Sequence, residues 1–381
     1  MEEEDAEVAG GLLRWAAAVG ISDCPMDGGD HRSRCLGNSL MIFNFPEAGG
    51  RGLAAVRCLR KGEMILRVPK VALMTSDCLM AKDERLCAAF RKYPSLSRTQ
   101  TLAVCLLNEV RKGKSSWWYP YIQQLPRTYD LLAHFSSSEI QAFQIDDAIW
   151  SAERAVLRAT SEWKEATPLM KELCFRPQFL TFKAWLWASS TISSRTMHIP
   201  WDSAGCLCPV GDFFNYAPPQ QEEDSSTSVA RYDEITSCYC FCSNRNYDAG
   251  DQVLLSYGAY TNLELIEHYG FLLRNNSNDK AFIPLEPEIL ALCPWPPETL
   301  YISRDGKPSF ALLSTLRLWA TPIGRRRWAK QLVYSGNPLS EENEEAVRGK
   351  MIDLCCALLS KCSTSIDEDE GLVHEIEKKV D

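Results

Sequence analysis

The stretch QVLLSYGAYTNLELIEHYGF, residues 252 to 271, places two phenols at the ends of two elements. Tyr257 closes a strand-like run, and Tyr269, twelve residues later, closes a helix-like one; each is followed by glycine. A phenol stays neutral at physiological pH, its ring face attracts a cation, and its hydroxyl both donates and accepts a hydrogen bond. Paired phenols can therefore line a slot and orient a basic group inside it. For each tyrosine alone, a core phenol with one partner explains the residue as well. A second group lies in GDFFNY, residues 211 to 216, where Asp212 and Asn215 flank two phenylalanines. If buried, both must be hydrogen-bonded, although a turn also accounts for them. Arg195 ends the run SSR.

Two further clusters invite chemistry and give less. In EAGGRGL, Gly49, Gly50 and Gly52 run into a strand rather than from a strand into a helix, which argues against a dinucleotide fingerprint. They still permit close approach of a ligand to the backbone, or a plain turn. Cys206/Cys208 and Cys238/Cys240/Cys242 alternate along strand-like segments, but zinc pairs are usually spaced C-x₂₋₄-C. Reduced thiols on a strand face are the better reading, and no metal is expected. Others of the sixteen cysteines fall in apolar runs such as AVCLLNEV and IDLCCALL, where Cys behaves as a small hydrophobe.

The elements that must hold these residues follow from periodicity. GLLRWAAAV, residues 11 to 19, reads as a short amphipathic helix ended by Gly20. Residues 50 to 75 read as strand, turn at Arg60 to Gly62, strand, stopped by Pro69: a hairpin. From about Asp77 to Arg195 the pattern is helical. Short strands return from Cys206 to Tyr257, with a polar loop at 220 to 228 and a turn at Ala249-Gly250. Thr261-Asn262-Leu263-Glu264 has the capping-box pattern, so a helix starts there. After a Pro-rich connector near 284 to 300 the remainder is helical. The expected fold is α+β. An N-terminal helical segment (1 to 30) precedes a strand-rich domain (31 to 275) interrupted by a helical insert at about 77 to 195. A helical domain (285 to 381) follows.

The chain has 381 residues, a net charge of −9 and a pI near 5.3, so a nucleic-acid partner is not expected. It has no apolar run of membrane-spanning length, and its start, MEEEDAEVAGG, is acidic where targeting signals are basic. A soluble protein of cytoplasm or nucleus, rather than chloroplast, is the expectation.

Taken together, the Gly-rich strand entry, the large helical insert, the Asp-x-x-Asn segment, LSYG and YGF resemble the SET-domain methyltransferases. The segments GKSSWWYPYIQQLP, SSR and LLRNNSND narrow the likeness to the Rubisco large-subunit methyltransferase-like branch, from about residue 12 to the end. The resemblance implies a SET-domain β-fold with its insert and an all-α substrate-binding domain. It implies S-adenosyl-L-methionine as cofactor and a monomer acting on a lysine of a non-histone protein. By the same resemblance, backbone at Gly49, Gly50, Arg51, Gly52 and Leu53 approaches the cofactor, with Arg51 touching it. Arg195 binds its carboxylate, and Asp212, Asn215 and Tyr216 hold its amino group and adenine side. Tyr257 sits at the methyl-transfer centre, while Tyr269 and Phe271 wall the amine channel and the cofactor face. Relatives that methylate histidine, and inactive SET-fold interaction modules, are the alternatives. The family usually has His where this chain has Tyr216, and its C-terminal domain reads as shortened here.

Overall fold

The computed structural model describes residues 2–24, 34–46, 50–217, 230–243 and 245–380. Helix α1 (Glu2–Ala18) precedes strands β1 (Leu40–Phe45), β2 (Gly50–Ala55) and β3 (Met64–Pro69). Seven helices follow: α2 (Ser76–Lys82), α3 (Glu84–Phe90), α4 (Arg98–Lys112), α5 (Tyr119–Ile122), α6 (Ser137–Gln141), α7 (Asp146–Glu172) and α8 (Phe182–Arg195). Strands then resume as β4 (Thr196–Ile199), β5 (Asp202–Leu207), β6 (Asn215–Tyr216), β7 (Ala230–Asp233), β8 (Cys238–Cys242) and β9 (Gln252–Leu255), ending at α9 (Asn262–His268). The last part holds β10 (Lys280–Phe282), α10 (Pro287–Leu290), β11 (Tyr301–Ser303), α11 (Phe310–Trp319), α12 (Arg326–Tyr334), α13 (Glu341–Leu359) and α14 (Ile366–Val380).

Packing divides the chain into two units. The first is Met1–His134, Arg154–Ala259 and Glu264–Leu272; the second is Phe135–Glu153, Tyr260–Leu263 and Leu273–Asp381. The first unit contains three small sheets. One has the order β1-β2-β9-β6, another β3-β8-β7, and the third pairs β4 with β5. All ladders are antiparallel except β6 with β9, which run parallel with Asn215 opposite Leu254 and Tyr216 opposite Leu255. That parallel ladder brings Asn215 and Tyr216 beside the strand leading to Tyr257.

The helices of the insert form for local reasons and are retained by burial. Ser97 and Gln100 complete a capping box at the start of α4, and the run Leu102 to Leu107 is buried throughout. Thr181 caps α8 by accepting from the Ala184 amide, and Arg195 sits in its last turn, where a cation complements the helix dipole. Trp118, Tyr121 and Trp185 are fully buried against the strands through one core that also includes Leu53, Leu66, Phe241 and Val253.

The second unit has its own core of Ile283, Leu300, Leu312, Leu316 and Val347. Besides its helices it carries a short antiparallel ladder, β10 with β11. Arg317 grips Glu344 with Nε and Nη2 at 2.6 and 2.8 Å, and Asn343 Nδ2 donates to the Arg317 carbonyl at 3.1 Å.

Three expectations need correction. Strands β2 and β3 form, but not as a hairpin: β2 pairs with β1 and β9, and β3 pairs with β8 and so belongs to another sheet. Alternation predicts a strand without naming its partner, and β1 went unread. The first helix also begins well before residue 11, because the acidic residues at its start favour a helix N-terminus. In IDLCCALL, finally, Cys355 is half-buried and Cys356 exposed, whereas Cys105 is in the core.

Candidate active site

The site is built around a buried carboxylate. Asp212 lies in the turn Gly211–Phe213, where its amide donates to the Cys208 carbonyl at 2.9 Å. This turn has no room for a side chain at position 211: a Cβ there would stand 2.5 Å from Phe241 and 2.8 Å from the Cys208 sulfur. Glycine therefore sets Asp212 into the core. The Asp212 side chain is 1% exposed, so its charge requires partners. Arg195 Nη1 donates to its Oδ2 at 3.2 Å and to its carbonyl at 3.0 Å, and the Tyr121 hydroxyl donates to the same Oδ2 at 2.9 Å. Arg51, on β2, is held by Gln124: Nη1 donates to Oε1 at 2.7 Å and Nη2 to the backbone carbonyl at 2.8 Å. Its guanidinium also lies 4.1 Å above the Phe213 ring.

Burial pushes the Asp212 carboxyl above the ordinary carboxylate range, against the opposing pull of Arg195, the Tyr121 hydroxyl and Arg51. Burial likewise raises the Tyr121 phenol well above its usual value. Among the described residues, Arg195 Nε and Asp212 Oδ1 are buried without a hydrogen-bond partner. One cationic donor and one anionic acceptor, both unspent, are what a zwitterionic ligand end requires.

Next to this pair stands a cluster of four rings. Tyr257 packs 5.4 Å from Tyr216 and 5.1 Å from Tyr269, measured between centroids. Phe271 lies 5.6 Å from Tyr216 and 6.2 Å from Tyr269. Tyr257 donates its hydroxyl to the Phe214 carbonyl at 2.5 Å, and Tyr216 donates to the Gly258 carbonyl at 3.0 Å. Burial pushes the Tyr257 phenol up to about 12, with Arg195 lowering it and Asp212 raising it. It is a neutral phenol at physiological pH. Tyr269 is placed by the end of α9, where the Tyr269 and Gly270 amides both donate to the Leu265 carbonyl, at 2.8 and 3.0 Å, and Gly270 takes φ +80°.

Of the residues singled out in the sequence, Tyr216, Tyr257, Tyr269 and Phe271 thus come together, and Arg195 and Asp212 pair directly beside them. Asn215 Nδ2 donates to the Arg51 carbonyl at 3.4 Å. Gly49 lies outside the described residues, as does the loop at 220 to 228. Gly50 opens β2 at φ +72°, and Leu53 is fully buried in the core. At Gly52 the close approach is by side chains: a Cβ would meet Asn215 Nδ2 at 2.7 Å and Gln252 Nε2 at 2.9 Å. Tyr121, Gln124 and the Phe214 carbonyl went unread. The first two sit three residues apart in WWYPYIQQLP, where an aromatic run gives no local sign of their partners. The strand β8 turns Tyr239 and Phe241 into the core and its cysteines to the other face, and burial raises the Cys206 thiol to about 12. Among the described residues no group of three or more His, Cys, Asp or Glu could hold a metal ion.

Comparison with known proteins sets this geometry in a family. Protein SET DOMAIN GROUP 40 of Arabidopsis thaliana is 51% identical over 394 residues, covering 97% of this chain and 80% of that protein. The chain belongs to the SET-domain protein methyltransferases. Residues 279–379 match the family described as Rubisco LSMT substrate-binding. Actin-histidine N-methyltransferase of Homo sapiens is 26% identical over 95% of this SET-domain chain and 62% of its own length. Among solved structures, the SET domain of LSMT bound to lysine and AdoHcy has a similar fold, with a TM-score of 0.67 at 19% identity over 96% of this chain and 84% of that one. Rubisco LSMT bound to AdoMet gives a TM-score of 0.66 over the same shares.

Proposed function

We propose that this chain transfers a methyl group from S-adenosyl-L-methionine to a lysine side chain of a non-histone protein, acting as a monomer in cytoplasm or nucleus. The observation that carries the reading is the neutral Tyr257, one of four clustered rings, standing beside the buried Arg195–Asp212 pair. The fold's likeness to LSMT structures holding lysine with AdoHcy, or AdoMet, supports it.

When bound, the cofactor supplies a sulfonium methyl group. Arg195 Nε would hold its carboxylate, Asp212 Oδ1 its ammonium, and Asn215, Tyr216 and the backbone of Gly50 to Leu53 its remaining length. The protein's own work is on the amine. A lysine with pKa about 10.4 enters mostly as ammonium, which ring faces accept. Loss of water around it among Tyr216, Tyr257, Tyr269 and Phe271 disfavours the charge, so the proton leaves to solvent. Tyr257 is not the base, since at about 12 its phenol stays protonated. Its proton is directed at the Phe214 carbonyl, so its oxygen lone pairs are free to accept an N–H and turn the amine lone pair forward. Alignment of the amine is then the main catalytic contribution.

The actin-histidine relatives favour a second reading, a histidine acceptor. The pH profile separates the two. A lysine-directed activity rises with pH above neutrality, whereas an imidazole, with pKa about 6.5, is already neutral there. The test is calorimetric binding of S-adenosylmethionine, followed by labelled methyl transfer into cell-extract proteins and mapping of the modified residue. Methyllysine on a non-histone protein supports the proposal; methylhistidine transfers it to the second reading. A folded chain with no cofactor binding sinks both.

A further inference from the structure

Two of the side chains that the helical insert sends into the site come from a single turn. Tyr121 reaches Asp212 and Gln124 reaches Arg51, so the same turn holds the carboxylate and one of the two guanidinium groups. The turn is itself fixed. The Tyr121 amide donates to the Trp118 carbonyl at 3.0 Å, and the Gln124 amide to the Tyr121 carbonyl at 2.8 Å. Trp118 is buried among Trp15 and Trp117, and Trp187 Nε1 donates to the Pro126 carbonyl at 2.8 Å just downstream. A group that orients another must be locked by its own packing, and this one is.

We propose that Tyr121 and Gln124 are positioning residues: the insert aims the site's charges, with Tyr121 acting through Asp212 and Gln124 through Arg51. Asp212 Oδ2 has two donors, Arg195 and Tyr121, while Oδ1 has none among the described residues. Removing the Tyr121 hydroxyl leaves a fully buried carboxylate on a single partner. The groups bearing on its charge are Arg195 from α8, Arg51 from β2, Tyr121 and Tyr129 from the insert, Tyr257 after β9, and Cys208. Of these, Arg195, Tyr121 and Arg51 favour the ionised form. Tyr121→Phe therefore makes Asp212 easier to protonate, and Arg195 loses its fixed counter-charge at a higher pH than in the wild type.

The binding consequence rests on the cofactor reading above; the stability consequence does not. Both are measured on the full chain. In calorimetry with S-adenosylmethionine, Tyr121→Phe should bind about ten- to a hundredfold more weakly at pH 7.5, the effect of losing a hydrogen bond to a charge. Its loss of affinity toward acid should begin at a higher pH. In thermal melts without cofactor, the variant's deficit in Tm should be largest where Asp212 is ionised and shrink as the pH falls through the carboxyl's raised titration, because the missing hydroxyl harms only the ionised carboxylate. A pH-independent deficit with unchanged affinity overturns the proposal. A wild type that fails to bind cofactor while the melts still diverge with pH refutes the cofactor reading and leaves the positioning role standing. If Tyr121→Phe does not fold, Gln124→Met decides. It removes one of two bonds to Arg51 and should weaken binding about threefold or more, with the pH dependence unmoved. Unchanged affinity in that variant overturns the proposal too.

Discussion

Tyr257→Phe isolates one hydroxyl in an otherwise intact cluster. The ring keeps its neighbours Tyr269 and Tyr216, at 5.1 and 5.4 Å, so its position should survive. What is lost is the bond to the Phe214 carbonyl, and Phe214 is 2% exposed. A neutral hydrogen bond plus a buried acceptor left short of a donor costs about 1–3 kcal/mol. For a unit of this size that lowers Tm by about 2–4 °C per kcal/mol. The effect on turnover should be much larger. If the hydroxyl turns the amine toward the methyl carbon, its loss releases the orientation and costs about a hundredfold or more in kcat. Cofactor affinity should change far less than kcat. The assay is single-turnover transfer of labelled methyl alongside calorimetry and thermal melts at neutral pH. Retention of kcat within about twofold in a folded variant would refute the orienting role. The same pair of proteins carries an alkaline signature. The folded phenol is raised to about 12 from 10.0, so its neutral form contributes stability that is lost as pH rises through that window. The wild type's advantage over Tyr257→Phe should shrink there.

Arg195→Ala should strand Asp212 in the core and destabilise the first unit by about 3–5 kcal/mol, visible in denaturant melts, and a double variant with Asp212→Ala should recover part of the loss. Gly52→Ala forces a Cβ against Asn215 and Gln252, and should cost about 1–3 kcal/mol while weakening cofactor binding through displaced Asn215. Tyr216→Phe removes the bond to the Gly258 carbonyl but keeps the ring, so a loss of about 1 kcal/mol in melts is expected. Glu344→Ala strips Arg317 of its bidentate partner and should lower the stability of the second unit, leaving the melting of the first unchanged.

The elements that depend on local pattern were the ones legible in the sequence. Helix α8 ends at Arg195 as its apolar period indicates, and α9 starts one residue after Thr261. Tyr257 and Tyr269 declared themselves through the Tyr-Gly breaks, and the order of motifs brought Phe271 and Tyr216 with them. Pairing was not legible. Nothing in residues 50 to 75 says that β2 seeks β9, about two hundred positions away, instead of β3. Arg51 shows the same limit: the family resemblance implies contact with the cofactor, but its partners Gln124 and Phe213 come from distant segments. Tyr121 escaped for a related reason. Within an aromatic run, a phenol that serves a carboxylate looks like one that merely fills space.

The ladders joining β2, β9 and β6 also set the order in which this protein can come into being. Leu53 pairs with Val253, and Asn215 with Leu254, so the sheet that holds the site cannot close until synthesis has passed residue 255. Tyr269 and Phe271 come later still. The insert helices, whose contacts are local, can form on the ribosome long before, whereas long-range pairing waits on loop closure. During translation Tyr121 and Arg195 are thus in hand while β9, still unmade, leaves the β2 edge open to pairing. Chaperone dependence should peak in nascent chains that end between β2 and β9.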